Sequence, residues 1–414
     1  MDRLYSWLHH DSASQQRLES PPSQATPRVF APVLMSCSQA SEKRALLLSG
    51  GGARASYQVG VLRAIATVLP KDASNPFQII TGASAGALNA ASIATHAQRL
   101  RTGVRTLEYV WSNISSDQVY KLDSGGLISS ASNWVFSFLA NRRRDTPASL
   151  LDNSPLEALL DKVIKFDRLQ RSIDAGYLEA LAITASGYSS GESVSFFQGV
   201  EGLRNWHKAH RVGVRSHLGV KHLLASTAIP TLFPAVRINR EFFGDGAIRQ
   251  LSPLSPAIKL GADRILAVGV SSNKPASPPR DAAPMHPSLT QILAHILNSA
   301  FVDTLTNDME ALRRVNKLLP LIPAQRLGED AALGLKPICL LDISPSQNLN
   351  TIAAEYFNDL PRALRLFVKD SGSSSVLSLL MFEKRYCQRL MDLGYHDAMA
   401  KEEQIRDFFT PAHT

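Results

Sequence analysis

A chain of 414 residues with 44% hydrophobic and 19% charged residues can bury one large core or two modest ones and reads as an ordinary globular protein. Lys and Arg outnumber Asp and Glu by 44 to 36, which suits anionic partners such as phospholipid headgroups; nucleic acid fits the charge equally well, so charge alone does not choose. Cys37, Cys339 and Cys387 are far apart and show neither CxxC nor metal-finger spacing, which excludes a disulfide framework and favours a reducing compartment.

Residues 1–10 lack the continuous apolar core of a signal peptide. No stretch reaches the roughly 18 to 20 apolar residues of a spanning helix. The expectation is a cytoplasmic protein whose membrane contact is peripheral. Residues 11–43 are rich in Ser, Gln and Pro without helical or strand period, and 1–43 reads as a flexible leader.

The folded part begins near Arg44. Residues 45–49 (ALLLS) form an apolar run that stops at three glycines, and 77–81 (FQIIT) stops at Gly82. Tyr57, Val59, Val61, Leu62, Ile65 and Leu69 recur between them at helical spacing, ending before Pro70, so the segment reads as a β–α–β unit. Further strands are expected at 178–184, 194–197, 240–243 and 265–270, with helices at 220–228 and 253–260. Such alternation predicts a three-layer α/β/α sandwich on a mostly parallel sheet over 44–271. Prolines crowd 272–287, a linker, and 288–414 is expected to be a mainly helical extension, with helices at 289–319 and 374–393.

Gly82-Ala83-Ser84-Ala85-Gly86 matches G-x-S-x-G and lies between a strand and the helical run 87–100. The bare pattern also arises by chance where a helix starts in small residues; its placement after a strand separates the two. A serine on so sharp a turn presents its hydroxyl, and the helix start beneath it favours developing negative charge. Ser84 is the candidate nucleophile, with Gly82 and Gly86 shaping its turn.

Gly50-Gly51-Gly52-Ala53-Arg54 follows the first strand and opens a helix, leaving backbone N–H groups free of side-chain cover. The loop could form an oxyanion hole, cradle a dinucleotide pyrophosphate or be a plain tight turn. The dinucleotide pattern is formally met by Gly50, Gly52 and Ala55, but the ribose-binding acid is missing: Thr81-Gly82 stands in its place.

Asp245, between Gly244 and Gly246-Ala247, follows an apolar strand pattern. A carboxylate there can take a serine proton if burial raises its pKa, whereas Asp-Gly is also a good turn former. A Ser–Asp–His order needs a histidine after Asp245. His286 lies in the linker, His295 in a long helix and His413 at the end; His396, after Gly394, is the one to test. A Ser84–Asp245 dyad fits better than a triad.

Taken in order, the glycine loop, the serine turn and Asp245-Gly246-Ala247 resemble the patatin-like phospholipase family, over about residues 44 to 271. Ala225 to Pro230 with Phe233-Pro234, and Pro253 to Ile258 with Gly261-Ala262, look like family segments too. The resemblance implies hydrolysis of fatty acyl esters through an acyl-serine, with Ser84 attacking, Asp245 as base, and neither metal nor cofactor. One departure is Ala55, where the family loop usually has glycine. Arg54 either holds the loop or meets a lipid phosphate, or is a solvated helix residue.

Trp134, Phe136 and Phe138, followed by Arg142, Arg143 and Arg144, combine aromatic bulk with a basic cluster. They form a candidate membrane contact or pocket cover; a buried helix capped by solvated arginines explains them as well. The expected partners are a phospholipid or other acyl lipid and a membrane surface, with no nucleic acid; oligomeric state is not readable. The competing functions are a neutral-lipid or thioester hydrolase and a catalytically silent lipid-binding protein.

Overall fold

The computed structural model describes residues 42–121, 149, 151–271, 289–323, 326–327, 335–362, 365 and 374–410. The expected leader, the Pro-rich linker and the aromatic and basic stretch around Trp134 to Arg144 fall outside the described residues, apart from the leader's last two residues.

In chain order, β1 (Arg44–Leu48) passes through the glycine loop and a 3-10 turn (Gly52–Ala55) into α1 (Ser56–Val68). Next, β2 (Ile79–Ala83) turns at Ser84 into α2 (Ala85–Thr95), followed by α3 (Leu100–Asn113), α4 (Ser154–Val163) and α5 (Asp167–Asp174). Then come β3 (Ala180–Gly187), β4 (Ser193–Gly199), β5 (Trp206–Lys208), β6 (Arg211–Arg215), α6 (Val220–Thr227), β7 (Val236–Ile238) and β8 (Glu241–Asp245). After α7 (Ser255–Lys259) and β9 (Arg264–Val268), the C-terminal third holds α8 (Leu289–Leu318), β10 (Cys339–Ile343) and α9 (Leu349–Glu355). It ends with α10 (Ser374–Leu380), α11 (Lys384–Met399) and α12 (Glu402–Phe409).

The strands form one ten-stranded mixed sheet in the order β10-β9-β1-β2-β3-β4-β6-β5, with β8 beside β3 and β7 beside β8. From β10 to β3 all neighbours are parallel, and beyond that β4 and β8 both run antiparallel to β3. The expected parallel character therefore holds for one half. The C-terminal third is mainly helical, yet it also contributes β10 to the parallel edge, a strand the sequence pattern did not mark.

Alternation along β1 shows why the fold has three layers. Leu46 and Leu48 enter one core with Tyr57, Leu62 and Ile65 of α1, while Ala45 and Leu47 enter a second with Leu254, Ala257, Leu305 and Met309. Period-two side chains on a strand covered on both faces feed both cores. The first core is the larger, and α11 buries Tyr386, Leu390 and Met391 in it.

One pairing positions the site. β2 lies along β3 up to Ala83, which faces Thr184, and β8 comes in antiparallel against the next stretch of β3, with Asp245 facing Ala185. β4 holds the other edge of β3 over this whole length. So β2 and β8 abut end to end on a single edge, and the residues at their meeting ends are Ser84 and Asp245.

Helix 374–393, expected as one piece, is two. The chain leaves the helix after Leu380 and resumes it at Lys384, and Phe382 in the break stacks near Trp111, with ring centroids 6.2 Å apart, and packs edge-on to Tyr120.

Candidate active site

Ser84 stands between β2 and α2 with φ 52° and ψ −135°, a conformation that L residues avoid. A non-glycine residue held there costs about 1–3 kcal/mol, so the surrounding packing must impose it. The elbow glycines allow it. A Cβ on Gly86 would lie 2.3 Å from the Leu48 carbonyl oxygen, and one on Gly82 would lie 2.7 Å from the Ala87 Cα.

The Ser84 hydroxyl donates to Asp245 Oδ2 at 2.5 Å, across 161 residues of sequence. The other carboxylate oxygen, Oδ1, accepts the Ala247 N–H at 2.9 Å. Asp245 is fully buried, and that burial raises its pKa to about 7 against the lowering pull of Ser84 and the Ala247 N–H. The carboxyl is thus tuned toward neutral pH, where a general base works best. Gly246 is obligatory for this turn: a Cβ there would sit 1.9 Å from the Thr184 carbonyl oxygen.

The structure brings the glycine loop to the same place. A Cβ on Gly50 would come within 3.0 Å of Ser84 Cβ and 2.8 Å of Ala247 Cβ, so the loop backbone packs directly on both the serine turn and the Asp245 turn. Among the described residues, no backbone carbonyl accepts the N–H groups of Gly51, Gly52 or Ala53, whereas the Arg54 N–H donates to the Gly51 carbonyl at 3.1 Å. The Ser84 N–H is likewise committed, donating to Ser226 Oγ at 2.9 Å, and Ser226 in turn donates to the Thr184 carbonyl at 2.6 Å. Ser226 thus ties the serine turn to β3, a role its place in Ala225 to Pro230 did not reveal.

Arg54 is buried, not solvated. Its Nε donates to Ser378 Oγ at 2.8 Å and a terminal nitrogen donates to Asn350 Oδ1 at 2.8 Å, so it ties the glycine loop to α9 and α10. Burial lowers its pKa to about 10, well short of discharging it at neutral pH. Gly52, at φ 53°, meets the same segment: a Cβ would be 2.3 Å from the Leu379 carbonyl oxygen.

From Ser84 and Gly52 opens a narrow cleft of about 740 Å³, a volume that includes the solvent at its mouth. Its walls are Ala85 and Leu88 of α2, Leu107, Val110 and Trp111 of α3, Leu156, Leu160 and Val163 of α4, with Ile229, Phe233 and Phe382. Almost all of it is apolar, as an acyl chain requires. Asn89, buried in the wall, is saturated: it donates to the Ala55 carbonyl and Gln58 Oε1 and accepts from Trp111 Nε1, each at 2.9 to 3.0 Å. An amide side chain inside a helix of mostly small and apolar residues was the sequence signal for it; Trp111 and Phe382 carried none.

No histidine bonds to Ser84 or Asp245 among the described residues. His396 lies within α11 rather than after a helix, is exposed and bonds to the Asp392 carbonyl. No group of His, Cys, Asp and Glu able to hold a metal occurs among the described residues, and no helix among them is long and apolar enough to cross a membrane.

An α/β sheet that sets a serine on a strained turn against a buried carboxylate, at the mouth of an apolar cleft, has the build of a serine hydrolase. A family model described as patatin-like phospholipase matches residues 46–258, just over half of the chain. The chain belongs to the patatin-like phospholipase family, and the reaction class that comes with membership is lipid acyl hydrolysis by a serine hydrolase. No curated protein matches it. Among solved structures, VipD from Legionella pneumophila is similar over 88% of this chain and 67% of its own, at 12% identity and a TM-score of 0.35. Human GIVD cytosolic phospholipase A2 is similar over 89% of this chain and 62% of its own, at 14% identity and a TM-score of 0.41. Likenesses that distant carry no argument about this chain's substrate.

Proposed function

We propose that the chain cleaves fatty acyl esters of phospholipids through an acyl-Ser84 intermediate, and the observation that carries the reading is the 2.5 Å hydrogen bond from Ser84 to buried Asp245 at the head of an apolar cleft. Ser84 Oγ attacks the acyl carbonyl carbon as its proton passes to Asp245 Oδ2. The carbonyl oxygen, now an oxyanion, is held by the Gly50–Arg54 loop through the N–H groups of Gly51, Gly52 and Ala53, with the Ala85 N–H at the start of α2. Collapse breaks the bond to the leaving alcohol, which takes the proton from Asp245. A water then gives a proton to Asp245 and attacks the acyl carbon, and the fatty acid leaves as Ser84 regains its proton. Neither metal nor cofactor enters these steps.

Asp245 accepts a proton only when ionised, so its raised pKa sets an acidic limb: kcat/KM falls as pH drops below about 7. The net charge of +8 favours an anionic membrane surface over neutral lipid droplets, and we read the protein as cytoplasmic and peripheral. The hydrolase unit is read as 44–271, with 288–414 as the extension whose Phe382 helps wall the cleft.

A serine-directed fluorophosphonate should label the wild type and not Ser84→Ala, and Asp245→Asn should lower hydrolysis of anionic phospholipid vesicles by roughly a thousandfold. Full activity in Asp245→Asn would break the dyad. Hydrolysis of a triglyceride or thioester with none of phospholipid would remove the phospholipid half of the reading, and failure to sediment with the vesicles its peripheral half.

A further inference from the structure

Among the described residues, the cleft is lined by one buried side-chain oxygen without a hydrogen-bond partner. α2 turns Ala85, Leu88, Asn89 and Ser92 toward it at helical spacing, a single stripe running away from Ser84. Asn89 is saturated by Ala55, Gln58 and Trp111. Ser92 is 1% exposed, and its Oγ has no hydrogen-bond partner among the described residues. A buried serine in a helix ordinarily bonds back to a carbonyl in its preceding turn, and a hydroxyl left without a partner is unfavourable.

Position gives this hydroxyl a meaning. Ser92 lies just over two turns beyond Ser84, about 12 Å along the helix axis. An extended acyl chain advances about 1.3 Å per methylene, from its carbon–carbon bonds of about 1.5 Å. A chain whose carbonyl carbon is at Ser84 therefore passes Ser92 around its tenth carbon.

We propose that Ser92 is a specificity residue that selects acyl chains bearing a hydrogen-bonding oxygen near mid-chain, the hydroxy, epoxy or keto acyl esters. The inference rests on the acyl-hydrolase reading of the same cleft. A saturated chain leaves the Ser92 hydroxyl unpaired, whereas an oxygen at that depth pairs with it, and selectivity follows from the difference.

The test is hydrolysis of two matched phosphatidylcholines in mixed micelles, one with stearoyl and one with 10-hydroxystearoyl chains, by wild type, Ser92→Ala and Ser92→Thr. The expected result is a kcat/KM ratio of about three- to tenfold in favour of the hydroxylated chain in wild type, as one neutral hydrogen bond supplies. The ratio should persist in Ser92→Thr and fall to about one in Ser92→Ala. Moving the hydroxyl to the chain terminus should abolish the preference. Equal hydrolysis of both esters by wild type, or a preference that survives Ser92→Ala, overturns the proposal and leaves the hydrolase reading intact. If wild type cleaves neither ester, the hydrolase reading fails, and the proposal with it.

Discussion

The Ser84–Asp245 pair and the apolar cleft are built by different means. At Ser84 and Asp245 the geometry is held by backbone: glycines at which a Cβ would lie only 1.9 to 2.8 Å from a neighbouring atom, a strained φ, and two strands seated on β3. In the cleft the walls are side chains from segments scattered along the sequence, from Leu88 to Phe382. Backbone-built chemistry tolerates almost no substitution, while a side-chain wall can be altered residue by residue. The difference predicts that the first region resists substitution and the second can be adjusted.

That contrast can be broken most sharply at Gly246. Gly246→Ala drives a Cβ into the Thr184 carbonyl, and overpacking against backbone cannot be relieved by rotating a side chain. Fluorophosphonate labelling should fall by roughly a hundredfold or more, since even a 1 Å displacement of reacting groups costs about that much. Labelling near wild-type level would show that the acid turn has slack.

Arg54 ties the glycine loop beside Ser84 to α9 and α10, so its loss should read as stability. Arg54→Met leaves Ser378 and Asn350 facing a thioether in a buried site, and the urea midpoint should fall by the equivalent of about 2–4 kcal/mol. A midpoint unchanged in Arg54→Met would mean that the C-terminal helices seat themselves without it.

The smallest effect concerns Asp245 and pH. Its folded pKa is raised to about 7 from an ordinary 3.8, so between those values the folded state binds the extra proton, and stability declines as pH rises through that window. Asp245→Asn has no such proton to lose. Its thermal midpoint should match wild type near pH 4 and exceed it by a few degrees at pH 8. A constant difference across pH would remove the ionisation cost from the account.

The same contrast governs what the sequence discloses. Ser84, Asp245 and the glycine loop were legible because a turn that excludes side chains must write glycines beside the residue it presents. The runs ALLLS and FQIIT were legible as strands because burial on both faces demands continuous apolar residues. β5 at Trp206–Lys208 and β7 at Val236–Ile238 are three residues each, too short for a period, and β10 is a brief apolar run in a region of helical pattern. The break between α10 and α11 falls at Met381-Phe382-Glu383, where neither Gly nor Pro marks it. Arg54 could not be assigned from its neighbours, because its burial depends on Ser378, 324 residues away. Ser226 stood in a recognised segment, but its hydrogen bond to Ser84 is set by α6 packing, which no local pattern encodes.

The shared edge of β3 carries a consequence for how such a protein can diversify. Ala83, just before Ser84, and Asp245 pair with adjacent residues of one strand, Thr184 and Ala185. Apart from α2, which opens at the serine turn, and α6 with the Ala228 that follows it, which hold the Ser84 and Asp245 N–H groups, the loops and helices between β2 and β8 make no hydrogen bond to either residue among the described residues. Insertions there can lengthen, roof or reshape the acyl cleft without moving the chemistry, whereas a one-residue slip of either strand on β3 would carry its residue about 3.3 Å along and turn it to the other face.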